Sequence, residues 1–125
     1  MASATPVIVT FEVGDDERFK VLLTRADDIA NARQVLAGVD VPSIPDGRIV
    51  RESGVNGPWS WSLDPGDFTF TDVTDETCDG LPSEVETGAV SGERYCPWSA
   101  QVIAIDPAPL TPPSPTPPSQ PPSPQ

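Results

Sequence analysis

Histidine is absent from this chain, and lysine occurs only once. Because histidine is the commonest general base and metal ligand, its absence excludes histidine-dependent triads and histidine-ligated zinc. Seven basic residues stand against 19 acidic ones, which gives a net charge of −12. Such a chain lacks the basic face that binds phosphate, so we expect neither nucleic acid nor an anionic membrane as a partner. No stretch approaches the ~18 apolar residues of a spanning helix, and we expect no membrane insertion.

The composition changes abruptly at Pro107. The last 19 residues contain ten prolines and no charged residue. Such a segment cannot bury enough apolar surface to offset the entropy lost on ordering. We predict a globular domain over residues 1–106 and a disordered Pro/Ser/Thr-rich linker or tail, in polyproline II conformation, over residues 107–125. The alternative is a ligand for aromatic-lined grooves, which bind a P-x-x-P ridge.

Two cysteines, Cys78 and Cys96, lie 18 residues apart. A bridge between them would contribute about 3 kcal/mol by restricting the unfolded chain. We predict this disulfide, and with it an extracellular or cell-surface location, because disulfides persist in oxidising compartments. The alternatives are two buried thiols that pack as small apolar side chains, or a metal pair.

Hydrophobic periodicity predicts several strands and one main helix. The predicted strands are Pro6–Val13, Phe19–Thr24, Arg48–Glu52, Trp59–Leu63, Asp67–Val73 and Ala100–Ile105. The main helix is predicted over Asp27–Ala37 and ends at Gly38. We also predict a turn over Pro42–Gly47 and a short helix within Leu81–Thr87. The expected fold is α+β: a small twisted, mostly antiparallel sheet with the main helix packed on one face and one disulfide.

The three tryptophans are candidates for a ligand-binding face. Trp59 and Trp61 are separated by one residue, so on a strand both indoles project to the same side. Two adjacent indoles, together with Trp98, would form a platform for a sugar ring or a protein partner. The competing interpretation is that tryptophans close the core of a thin domain.

An acidic segment resembles the calcium loop of an EF-hand in its spacing. Its loop positions one, three, five, six and twelve are Asp75, Thr77, Asp79, Gly80 and Glu86. These oxygens could ligate calcium, whereas Pro82 stands where an apolar pairing residue is usual. A solvated acidic turn is the alternative, and we expect no other cofactor.

Three carboxylates, Asp64, Asp67 and Asp72, lie close together in sequence. Paired carboxylates perform general acid and base chemistry on glycosides. However, Asp64 before Pro65 is also a common turn opener. We therefore expect a protein that is not an enzyme.

Arg94 lies in the segment that a Cys78–Cys96 bridge would close. A loop held at both ends is preorganised for docking. Arg94 would then be the primary-site residue of an inhibitor of trypsin-like proteases. The alternative is a surface ion pair with one of the many acids.

Several motifs together resemble a known family. They are F-E-V at 11–13, A-N-A-R-Q-V-L at 30–36, G-R-I-V at 47–50, P-W-S-W-S-L-D-P at 58–65, E-T-C-D at 76–79 and R-Y-C-P-W-S at 94–99. This pattern resembles a small family of domains named after the N-terminal domain of a calmodulin-binding protein. The resemblance implies a compact α+β domain with paired cysteines and largely structural tryptophans, and it carries no catalytic motif. Calmodulin targets are basic amphipathic helices, whereas Asp27–Ala37 holds one Arg, so we expect no calmodulin binding.

The function predicted from these observations is a non-catalytic extracellular recognition or adhesion module carried on a Pro-rich linker. Its expected partner is a protein or glycan outside the cell. The alternative is a small disulfide-stabilised serine protease inhibitor that acts through the loop between Cys78 and Cys96.

Overall fold

The structure, a computed structural model, describes residues 5–14, 16–74, 76–90 and 92–108. The strands and α-helices among these residues are β1 (Val7–Val13), β2 (Glu17–Leu23), α1 (Ala26–Leu36), β3 (Ile44–Val50), β4 (Ser62–Thr71), α2 (Pro82–Thr87), β5 (Arg94–Tyr95) and β6 (Gln101–Pro107). One turn of 3-10 helix, Glu76–Cys78, precedes α2. Of the predicted linker, residues 109–125 lie outside the described residues. No helix in the described part is long and apolar enough to cross a membrane.

The strands form two antiparallel sheets of three strands each. Sheet A has the order β2-β1-β6, and sheet B has the order β4-β3-β5. The predicted α+β class is confirmed, with antiparallel strands, one main helix and one disulfide. The strands are divided between two sheets because β3 pairs with β4 on one side and with β5 on the other, while β6 returns to pair with β1.

The core lies between the two sheets. Alternation along β1 turns one row of apolar side chains inward, where they are buried. This row consists of Val7, Val9, Phe11 and Val13. The Phe11 ring stacks on Phe19 of β2 at 5.0 Å between ring centres, and it meets Phe70 of sheet B at 6.0 Å. Aromatic contacts therefore join the two sheets.

Helix α1 packs against β6 and β4, where Ile29 and Ala32 are buried. Its first turn is stabilised by an ion pair between the Arg25 guanidinium and Asp28, with Nε and Oδ2 3.0 Å apart. After the helix, Gly38 has φ +84°, a left-handed conformation that side chains with a Cβ rarely adopt. The predicted helix is thus shifted by only one residue at each end.

Sheet B differs from the prediction in two places. The predicted turn over Pro42–Gly47 contains the start of β3, which begins at Ile44. Pro45 is tolerated in this strand because β5 pairs only with Gly47 and Arg48, so no β5 residue pairs opposite Pro45. Residues 59–61 of the strand predicted at Trp59–Leu63 lie outside the strands, whereas Ser62 and Leu63 continue into the strand predicted at Asp67–Val73 as one strand, β4. Its register against β3 shifts, and residues 64–67 are displaced as a bulge.

Candidate functional site

The structure does not bring the three tryptophans together. Trp61 is 0% exposed and packs against the rings of Phe19 and Tyr95, at 5.7 and 5.3 Å between centres. Trp59 is half-buried, and Trp98 is 41% exposed beside Cys96. Trp61 therefore faces the core and does not share a surface with Trp59, while ligand binding by Trp59 or Trp98 stays a prediction.

Trp59 belongs to the edge loop, which we define as residues 51–61. The loop covers the edge of β2 that β1 leaves unpaired. Trp59 Nε1 donates a hydrogen bond of 2.7 Å to the Arg18 carbonyl, and the Lys20 amide donates one of 2.7 Å to Asn56 Oδ1. Side chains of the loop thus satisfy the backbone groups of an edge strand, as a further strand would.

Asn56 is the central residue of this arrangement. It is 1% exposed, and besides accepting from Lys20 it donates through Nδ2 to the Trp61 carbonyl at 2.9 Å. Asn56 was not among the predicted site residues, because Asn-Gly-Pro is typical of an exposed turn. Its burial and its hydrogen bond with Lys20, 36 residues away, identify it.

A pocket of about 420 Å³ lies between the edge loop and the outer face of sheet A. We call it the sheet A pocket. Its described lining residues are Thr10, Arg18–Lys20, Asn56–Pro58, Ile103 and Ala104. Its volume falls within the range of small-molecule sites. Two smaller cavities, of about 200 and 140 Å³, lie beside Cys78 and beside the first turn of α1.

The strand register explains the shape of this pocket. Lys20, Thr10 and Ala104 are directly paired across β2, β1 and β6, so they form one row on the outer face. The two small side chains in the row leave a depression. The register between β1 and β6 shifts at a β-bulge, where Ile103 is the extra residue. Bulges of this kind change the direction of side chains and are common next to functional sites.

The charged residues that line the sheet A pocket, as far as the structure describes them, are basic. Two of the seven basic residues line it, and none of the 19 acidic residues is among its described lining residues. Arg18 is paired with Glu12, at 3.3 Å between Nη2 and Oε2. Lys20 has no ion-pair partner within the described ranges, and the Thr10 hydroxyl has no hydrogen-bond partner there. As far as the described residues show, the pocket therefore presents an ammonium group without an ion-pair partner and a hydroxyl without a hydrogen-bond partner.

Arg94 lies in β5 and takes part in an ion-pair network on sheet B. Its Nε is 2.8 Å from Asp46 Oδ1, and its Nη1 is 3.1 Å from both carboxylate oxygens of Asp67. Partial burial lowers the pKa of Arg94, but the hydrogen bonds to Asp46 and Asp67 outweigh it and raise that pKa above its ordinary value. A primary-site arginine projects free of its own protein, so these ion pairs do not support the inhibitory-loop interpretation, which stays an untested alternative.

The same network neutralises two of the three candidate catalytic carboxylates. Arg48 Nη2 lies 2.6 Å from Asp64 Oδ2, and Arg48 Nε lies 3.9 Å from Asp67 Oδ2. Asp72 is exposed and belongs to the loop after β4. The hydrogen bond from the Gly66 amide and then that from Arg48 hold the pKa of Asp64 below its ordinary value. Asp64 therefore stabilises the bulge of β4 through its contacts with the Gly66 amide and Arg48.

The lowered pKa of Asp64 makes stability depend on pH in acid. A carboxyl whose pKa is lower in the folded state stabilises the fold above the unfolded pKa of about 4, and this contribution is lost as pH falls through the folded value. We expect the melting temperature of Asp64→Asn to fall less than that of the wild type between about pH 5 and pH 2. The melting temperature of Arg48→Gln should also fall less than that of the wild type over this pH range. Parallel acid profiles for all three proteins would contradict this assignment.

The candidate calcium ligands have other partners where the structure describes them. Asp79 Oδ1 accepts a hydrogen bond from the Trp98 amide, and Glu86 Oε1 accepts one from the Ser60 amide, both at 2.8 Å. Thr77 lies in the 3-10 helix, and Asp75 is outside the described residues. Among the described residues no group of three or more candidate ligands is placed to hold a metal ion. Calcium binding stays a prediction.

Cys78 and Cys96 form the predicted disulfide. Their Cα atoms are 5.1 Å apart, and both residues are buried with Ile44. The segment between them is packed: it contains α2, and Val85 and Val90 are buried in the main core. The disulfide thus holds α2 and β5 against the body of the domain.

These features define a disulfide-stabilised α+β domain with a preformed pocket on the outer face of one sheet. The chain matches the BP-74 N-terminal domain family over residues 5–109 and belongs to that family. This confirms the resemblance seen in the sequence motifs, which is to the family named after the N-terminal domain of a calmodulin-binding protein. A search of curated proteins and a search of solved structures gave no significant match.

Proposed function

We propose that this domain is a non-catalytic recognition module of the cell exterior, which binds its ligand in the sheet A pocket. The observation that carries the proposal is the preorganisation of this pocket. Its floor consists of paired strands, and its rim is fixed by the buried Asn56 and by the hydrogen bond of Trp59. A site held in its bound shape avoids the entropy cost of ordering, which favours recognition.

The state of the carboxylates supports a role without catalysis. Asp64 and Asp67 are engaged by the guanidinium groups of Arg48 and Arg94. The lowered pKa of Asp64 makes its carboxylate a weaker base than an ordinary aspartate, and the group is a poor proton donor at neutral pH. These groups stabilise the fold of sheet B instead of acting on a substrate.

The disulfide supports an extracellular or cell-surface setting, because such bonds persist where the environment is oxidising. The net charge of −12 favours solubility there and repels anionic surfaces. The composition of α1 supports the expectation that calmodulin is not a partner. This helix carries Arg33 together with Asp27 and Asp28, and a calmodulin target is basic.

The proposal is tested by mapping where small compounds bind. Backbone amide spectra of the full chain are recorded with a library of anionic, neutral and cationic compounds, for the wild type and for Ala104→Leu. Ala104 is half-buried in the floor of the pocket, so the larger side chain fills the depression without changing charge. We expect perturbations to concentrate on Thr10, Lys20 and Ala104 in the wild type and to weaken at least tenfold in the variant. Binding elsewhere only, or equal binding by both proteins, would contradict the proposal.

A further inference from the structure

We propose that the ligand of the sheet A pocket is a carboxylate joined to a compact apolar group. This inference rests on the proposed function and adds the chemical class of the ligand. Two kinds of observation support it: the charges that line the pocket, and the apolar side chains beside them.

The charge observation is the distribution of acids and bases. In a chain with 19 acidic and seven basic residues, the charged residues that line a random surface depression would be mainly carboxylates. The described lining instead includes Arg18 and Lys20 and no acid. Glu12 already neutralises Arg18, at 3.3 Å, so Lys20 is the group left to pair with a ligand. A carboxylate that accepts a hydrogen bond from an ammonium group forms one of the stronger polar contacts available.

The Thr10 hydroxyl is a second donor for the same carboxylate. Thr10 is the direct cross-strand partner of Lys20, so the two side chains lie next to each other on the outer face of sheet A. Within the described part of the chain, the Thr10 hydroxyl makes no hydrogen bond, and it is not among the fully buried polar atoms, so it keeps exposed surface although the residue as a whole is buried. A carboxylate bound there would give both groups a partner.

The apolar observation concerns carbon atoms on both sides of the pocket. Pro58 on the edge loop and Ile103 and Ala104 on β6 present carbon atoms to the same space. A volume of about 420 Å³ holds an aromatic or branched aliphatic group besides the carboxylate. The net charge of −12 disfavours polyanions, whose many charges meet the field of the whole protein. A single carboxylate is attracted locally, because salt screens charges beyond about 8 Å.

The test uses matched probes that differ in one charge. The full-length protein is titrated with 4-phenylbutanoate and with 4-phenylbutanamide, and the Lys20 amide and the Trp59 indole N–H are followed by NMR. A second arm compares an N-acetylated tripeptide that ends in phenylalanine as the free acid with its C-terminal amide. We expect each acid to bind more tightly than its amide. Whichever of the two acids binds more tightly identifies the source as a small acid or a chain terminus, and either order supports the proposal.

Two variants with the same change of charge provide the control. Lys20→Gln is expected to weaken the binding of the two acid probes about tenfold. The affinity for the two uncharged amide probes should stay unchanged. Arg33→Gln removes one positive charge on α1, away from the pocket, and is expected to change neither affinity. Equal binding of acid and amide, or unaltered acid binding by Lys20→Gln, would overturn the inference while leaving the sheet A pocket as a ligand site. If no probe of either charge perturbs the pocket, both the inference and the proposed function fail.

Discussion

Replacing Trp61 by alanine is expected to lower the free energy of unfolding by about 4 kcal/mol. The indole is fully buried between Phe19 and Tyr95, so its removal leaves a cavity as well as removing apolar contacts. Trp61 Nε1 has no hydrogen-bond partner in the described part of the structure, so no hydrogen bond of this group is lost. Urea unfolding followed by far-UV circular dichroism measures the change.

Trp98→Ala is the matched control for this prediction. Trp98 is 41% exposed, and its described hydrogen bond is made by its backbone amide, which alanine retains. We expect a change of about 1 kcal/mol or less. A similar cost for both variants, or a larger one for Trp98→Ala, would contradict the assignment of Trp61 to the core.

Asn56→Ala is expected to lower the free energy of unfolding by about 3 kcal/mol. The change leaves the Lys20 amide and the Trp61 carbonyl without their partners, and each unpaired buried group costs about 1–3 kcal/mol. Because Asn56 holds the edge loop, hydrogen exchange of the Lys20 amide should accelerate together with the loss of stability. Urea unfolding and amide exchange measure the two effects.

Asn31→Ala is the control for Asn56. Asn31 on α1 is half-buried and donates one side-chain hydrogen bond, from Nδ2 to the Pro42 carbonyl at 2.6 Å. Replacing Asn31 should lower the free energy of unfolding by about 1 kcal/mol, because the higher helix propensity of alanine offsets part of the lost hydrogen bond. If Asn56→Ala costs no more than Asn31→Ala, the edge loop is not held as described.

The regular elements of this domain could be predicted from local patterns. Strict alternation in β1 and helical spacing in α1 are consequences of one-sided burial, and each lies within a single short segment. Sheet B could not be predicted as well. The bulge over residues 64–67 depends on the register between β3 and β4, and the position of Pro45 depends on how far β5 extends. Both features depend on contacts between strands, and neither leaves a pattern in the local sequence.

The candidate site was harder to predict than the fold. Thr10, Lys20, Asn56 and Ala104 are far apart in sequence, and none belongs to a motif with a known chemistry. The spacing of Trp59 and Trp61 predicts that both indoles project to the same side of a strand. However, Trp59 lies in the edge loop, and β4 begins only at Ser62. A single lysine in a chain with 19 acids was the one available signal. Its meaning depends on the pocket, where the described lining residues include no acid beside it.

A crystal structure of the domain with 4-phenylbutanoate tests the central claim most directly. We predict the phenyl ring against Ile103 and Ala104 and the carboxylate within about 3 Å of Lys20 Nζ. A probe bound only elsewhere, with the sheet A pocket empty, would contradict the claim that this pocket is the recognition site.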